Sequence, residues 1–215
     1  MAATQVNPTR MELSRLKKKL NTATRGHKLL KDKRDELMRR FLELVKENKM
    51  LREKVENDIK IANSNFVLAK ASMSQETLNA ALLAPKQEIY VDVSEKNVMS
   101  VDIPVFDYTT RTPDSNDIYS YGFAFTSSDL DDAVKSLADL LPDLIKLAEI
   151  EKSCQLMAAE IEKTRRRVNA LEHVMIPDTR EQIRYITRKL DENERSTQTR
   201  LMKVKDMMLK EAHGY

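Results

Sequence analysis

Apolar residues recur every seven positions along two long stretches of this chain, each with a partner three positions on. The first stretch reads Leu13, Leu20, His27, Arg34, Phe41, Asn48 and Val55, accompanied by Leu16, Ala23, Leu30, Leu37, Leu44 and Leu51. The second reads Leu147, Cys154, Ile161, Val168 and Met175, accompanied by Ile150, Met157, Thr164 and Leu171. An a/d seam held for about six heptads predicts a coiled-coil helix. Neither stripe is stable in water, and the simplest way to bury both is against each other. A connecting segment of fewer than about 50 residues cannot return a second helix in parallel along a partner roughly 100 Å long. The pattern therefore predicts a mainly α fold: a long antiparallel two-helix coiled coil with a small middle segment. Residues near Leu20 are expected beside Leu190–Leu201.

Three segments follow from the same reading. Residues 1–84 form the first long helix, opened by Thr9 as cap with Glu12 at the capping-box spacing. Its phase slips after Val55, where Leu51, Val55 and Ile59 stand four apart and Ala62, Phe66, Ala69 and Met73 follow. Such a stutter unwinds a left-handed supercoil locally, and Pro85 should stop the helix after Leu83. Residues 85–127 change to a period of two. Ile89, Val91 and Val93, then Val101, Ile103 and Val105, predict a β-hairpin over about 87–106, turning at Ser94-Glu95-Lys96-Asn97. A lone hairpin is marginal in water, so it should lean on the helices or on a partner. Thr109–Asn116 reads as loop and Ile118–Phe125 as a short aromatic stretch of no clear type. Residues 128–215 form the second long helix, capped by Ser127 or Ser128, with Asp129, Asp131 and Asp132 at its positive end. Pro142 and Pro177 interrupt it. Pro177 coincides with a phase change from Met175 to Thr179 and Ile183, which predicts a bend there.

Composition agrees with a rod. The 215 residues include 3 Gly, 6 Pro and no Trp, and 33% are charged. The single Cys154 excludes an internal disulfide and fits a reducing compartment. No run of 18 apolar residues and no basic-then-apolar leader is present, so neither a membrane span nor secretion is expected. The net charge of +3 conceals a polarity. Arg10–Arg40 holds twelve bases against four acids, whereas Pro85–Asp132 holds ten acids against three bases. A basic end and an acidic middle suggest different partners for each.

Candidate chemistry is sparse. Arg25-Gly26-His27-Lys28 lacks the spaced glycines and Lys-Ser/Thr of a phosphate loop. His27, His173, His213 and Cys154 have no metal-ligand spacing, and no nucleophile–base or paired-carboxylate arrangement stands out. No catalytic, cofactor or metal residue is assigned. Cys154 on the seam reads as core packing, and the eleven Met as flexible filler. His27, Arg34 and Asn48 at a positions either snorkel to the seam edge or meet another subunit. The basic flank fails as a zipper-type DNA-binding region, because the leucine seam runs straight through it instead of following it.

Several runs resemble a known family. Asn7–Leu13, Thr24–Leu37, Glu95–Val101, Glu162–Glu172, Ile176-Pro177, Ile183–Ile186 and Lys189–Arg195 closely resemble the D subunit of V-type ATPases, in its bacterial form. The likeness covers nearly the whole chain and is weakest over 107–128. It implies a central rotor shaft without catalytic residues of its own. Such a shaft pairs one-to-one with the F subunit and enters the hexamer of A and B subunits. It also meets the funnel-shaped subunit above the membrane ring, and it couples ATP to H⁺ or Na⁺ movement from the cytoplasmic side of the membrane. On that reading Arg10, Arg15, Arg25, Lys28, Lys31, Arg34, Arg200 and Lys203 would face the hexamer. Ile89, Val91, Val101 and Ile103 would face the lower socket. Leu20, Leu30, Leu37, Phe41, Leu44, Leu51, Val55, Leu147, Cys154, Ile161 and Val168 would hold the seam. The alternative is a free-standing coiled-coil scaffold or nucleic-acid-associated rod.

Overall fold

The computed structural model describes residues 6–111, 117–122 and 126–212. Helix α1 spans Arg10–Ser72 and α2 Gln75–Leu82; strands β1 (Ile89–Val98) and β2 (Val101–Thr110) follow. Helix α3 spans Ser128–Ala170 and passes through Pro142, a π-helical turn covers Leu171–Met175, and α4 runs Ile176–Ala212. The fold is the expected one, two long helical stretches with a two-stranded antiparallel hairpin between them. Residues 112–116 and 123–125, within the expected loop and aromatic stretches, lie outside the described residues, as does His213.

The chain divides into two compact units. Unit 1 takes residues 1–34 and 163–215, and unit 2 takes 35–162. Within unit 1, Arg10 pairs with Glu194 and His27 with Glu172; within unit 2, Arg52 pairs with Glu151 and Lys54 with Asp143. In both units a rising number on one helix meets a falling number on the other, so the helices are antiparallel. The a/d phase is also as expected. Leu16, Ala23, Leu37 and Val55 are buried, and Leu13, Leu20, His27, Leu30, Arg34, Phe41, Leu44, Asn48 and Leu51 are half-buried. Along the second helical stretch Met157, Ile161, Thr164 and Val168 are buried, with Leu147, Ile150, Cys154 and Leu171 half-buried. Met175 departs from the seam at 42% exposure, because it ends the π turn and the widened backbone rotates it out.

Three expectations need correction. The first helix does not continue to Leu83. Ser72, Met73 and Ser74 break it: the Ser74 backbone is extended (φ −71°, ψ 148°), and its hydroxyl accepts the Thr77 N–H at 3.3 Å. The Ser72 hydroxyl meanwhile donates to the Ala69 carbonyl at 3.0 Å. Short polar side chains offer the backbone a competing bond and restart the helix. The break brings Leu78 and Ala81 of α2 into one core with Ala69 and Leu130.

The second correction concerns register. Leu20 lies between Arg10, which pairs with Glu194, and His27, which pairs with Glu172. Equal rise along both helices puts it level with about residue 180, some ten residues short of the expected Leu190–Leu201. The expectation rested on the length of the connecting segment, which fixes the antiparallel direction and not the register; the early end of α1 at Ser72 sets where the pairing begins. The third concerns the hairpin turn, which is Met99-Ser100 and not Ser94–Asn97, since Val98 pairs with Val101. Both turn residues have positive φ (54° and 69°), the two-residue form that matches strand twist but ordinarily favours Asn-Gly. Asn97 supplies the compensation: its Oδ1 accepts the Ser100 N–H at 3.1 Å and its Nδ2 donates to Asp102 at 2.6 Å. Val101 then seats in the core with Leu37, Met157 and Ile161, with Val98, Met99 and Ile103 around it. The hairpin leans on the helices, and its odd turn is held by that docking.

The caps follow the local rules. The Thr9 hydroxyl accepts the Glu12 N–H at 3.2 Å, while the Glu12 carboxylate turns to Arg15 instead of back to Thr9. Pro177 is the second residue of α4, directly after the π turn, and its missing N–H leaves a gap in a helical run that otherwise continues from α3. The Ile176 N–H reaches back five residues to the Leu171 carbonyl, which defines the π turn just ahead of the proline.

Candidate functional site

No group of His, Cys, Asp and Glu among the described residues could hold a metal ion. No described helix is long and apolar enough to cross a membrane. The clefts are shallow; one of about 300 Å³ in unit 2 is lined by Lys54, Asp58, Ile61, Ser136, Asp139, Leu140 and Asp143. There Lys54 donates to Asp143 at 2.6 Å, and that bond raises the lysine's pKa. The Cys154 thiol is pushed up by burial first and by the Glu151 and Glu47 charges second, the direction that disfavours the thiolate. Tyr121 is raised by burial and by donating to Asp131 at 2.8 Å, a structural bond that ties the segment before α3 to its first turn.

The eight basic residues singled out from the sequence all fall in unit 1. Arg10 is spent on Glu194, with 80% of its side chain exposed, and Arg15 stands 3.6 Å from Glu12. Arg25, Lys28 and Lys31 are exposed along α1, whereas Arg34 is half-buried. Arg200 and Lys203 are exposed on α4. Exposed pairs of this kind add little stability, so these side chains remain available for a partner's acids.

The four hairpin residues do not share a surface. Cross-strand pairing puts Val91 opposite Tyr108 and Val93 opposite Phe106, and Ile89 lies on that same face. Val101 and Ile103 lie on the other face, against the helices; Val101 is only 7% exposed. Val101 is a core residue of this chain, and Ile103 packs beside it. The outer face instead presents Val91 (43% exposed), Val93 (64%) and Tyr108 (38%). Val93 and Tyr108 escape a reading of the sequence because the facing set depends on where the turn falls.

The least expected surface is the end of α4. α1 begins at Arg10, level with Glu194, so α4 continues beyond its partner. Every residue from 191 to 211 is exposed. Leu201, Val204 and Met208 stand at i, i+3 and i+7, with Met202, Met207 and Leu209 beside them, all between 46% and 66% exposed. This is a seam with no described helix to close it, interleaved with Arg200, Lys203, Lys205 and Lys210. A stripe of that size on a stable protein marks a binding surface. The heptad rule predicts the stripe; only the register shows that it is bare.

Comparison with known proteins covers nearly the whole chain. The family model described as the ATP synthase D subunit matches residues 12–206. The chain is 61% identical over 215 residues to the V-type ATP synthase D subunit of Acetivibrio thermocellus, covering all of this chain and 97% of that one. It is 63% identical over 212 residues to the protein of the same name from Clostridioides difficile, covering 99% and 95% of the two chains. With the Clostridium botulinum protein of that name it shares 59% over 209 residues, covering 97% and 98%.

Proposed function

The chain belongs to the ATP synthase D-subunit family, whose members are components of rotary V-type ATPases, and on that premise we propose that it is the central-stalk rotor shaft. It carries torque between the catalytic A/B hexamer and the membrane ring, so that ATP hydrolysis drives H⁺ or Na⁺ transport or ion flow drives ATP synthesis. The observation that carries this reading is the bare apolar, basic end of α4, which needs a partner to cover it. A hexamer bore lined by apolar and acidic groups would do so, with Arg25, Lys28 and Lys31 adding charge from α1. The shaft needs no chemistry of its own: the hexamer supplies the catalytic residues and the shaft biases them. The F subunit is its one-to-one partner. The exposed hairpin face at Val91, Val93 and Tyr108 meets the funnel-shaped subunit, and the complex holds the shaft peripherally on the cytoplasmic side of the membrane.

Native mass spectrometry with the purified F subunit tests the pairing. A one-to-one complex is expected, whereas self-association of the chain alone, driven by the same bare stripe, would favour a free-standing scaffold. Charge reversal at Arg25, Lys28, Arg200 and Lys203 together should weaken assembly with the A/B hexamer at low salt, where attraction is strongest. Unchanged assembly would remove the basic residues from the account.

A further inference from the structure

Three soft features of unit 1 fall at one level of its helix pair. In α1, Gly26 costs about 1 kcal/mol relative to Ala, yet a Cβ there would meet nothing within 4 Å. Packing therefore does not require the glycine. Across from it the second helical stretch loosens into the π turn Leu171–Met175. Pro177, just beyond, has no N–H to give the ladder. One side-chain contact joins the two: His27 Nε2 lies 3.2 Å from Glu172 Oε2. His27 thus finds its polar partner within its own chain, although it occupies an a position of the seam.

We propose that Gly26 and the π turn form a compliant joint in the helix pair of unit 1, locked by the His27–Glu172 contact. Helices bend where the i→i−4 ladder is interrupted, and here the interruption in one helix faces the residue of weakest helical preference in the other. The lock is electrostatic. Glu172 faces His27 and Lys31 from α1 and His173 from its own turn, and the hydrogen bond from His27 is the largest cause holding its carboxyl below the usual range. The imidazole and the carboxylate thus tie the π turn to the neighbourhood of Gly26.

Hydrogen exchange of the full chain reads the joint directly. The amides of residues 171–176 should be at least about tenfold less protected than those of residues 163–168 and 180–188. Gly26→Ala should raise protection in the π turn. His27→Ala should lower it several-fold further while the flanks stay unchanged, and His27→Gln, which keeps a hydrogen-bonding side chain, should restore part of the loss. Uniform protection along unit 1 would overturn the joint, and unchanged protection in His27→Ala would overturn the lock. The assay does not involve the hexamer, so its failure leaves the rotor reading standing.

Discussion

In unit 2 the helix pair carries a β-hairpin and a short helix; in unit 1 the described helices carry only each other. The consequence shows in the burial. Leu37 reaches 0% exposure because Val101 of the hairpin tip joins Met157 and Ile161 over it, and Leu130 reaches 0% under Leu78 and Ala81 of α2. In unit 1 burial narrows to single seam residues such as Ile186 and Val168, and the last turns of α4 have no cover. A two-helix seam buries a line, and a third element turns the line into a core. Unit 2 thus closes a core of its own, and unit 1 leaves more of its surface exposed.

Emptying the core of each unit tests that contrast, and it should give the largest effect. Leu37→Ala should destabilise unit 2 by about 4–5 kcal/mol, because the hairpin on top prevents collapse into the hole. Ile186→Ala, equally buried, should cost only about 2–3 kcal/mol, since two helices flanked by solvent can close up. Chemical denaturation followed by hydrogen exchange would assign each loss to its unit. Equal losses would mean that the third element adds no cover.

The two faces of the hairpin give the next largest contrast. Val101→Ala should cost about 1–2 kcal/mol and loosen the hairpin from the helices. Val91→Ala, on the exposed face, should cost less than about 0.5 kcal/mol. The turn should respond in the opposite direction. Replacing Met99 with Asn and Ser100 with Gly should stabilise the protein by about 1 kcal/mol, because those residues accept positive φ at little or no steric cost. Thermal unfolding reads both, and a destabilised double variant would show that the Met99 side chain matters more to the core than its backbone strain.

The long helices were legible because a seven-residue period is written locally, residue by residue, and each position can be checked against the next. The hairpin's existence was legible for the same reason. Its turn was not, because Met99-Ser100 runs against turn preference and is held by Asn97 and by the docking of Val101, a contact distant in sequence. The break at Ser74 was hidden by an apolar pattern that continues on both sides of two serines, whose local hydrogen bonds the pattern does not show. The register of the helix pair was not written in the heptads at all, and without it the bare end of α4 could not be seen. Pro177 announced an interruption in the right place, but a proline alone does not say whether the ladder kinks or widens into a π turn. Val101 was misplaced because alternation identifies two faces without saying which one is covered.

The rotor reading turns on the exposed seam at the end of α4. Leu201, Val204 and Met208 are all exposed, so replacing the three together with Glu should leave the folded chain, and the proposed pairing with the F subunit, unchanged. Reconstituted with the A/B hexamer and the membrane ring in vesicles, this variant should fail to seat in the hexamer and lose ATP-driven ion pumping, while the hexamer keeps its catalytic residues. Normal assembly and pumping at the unmodified rate would contradict the claim that this bare stripe is where the shaft meets the hexamer.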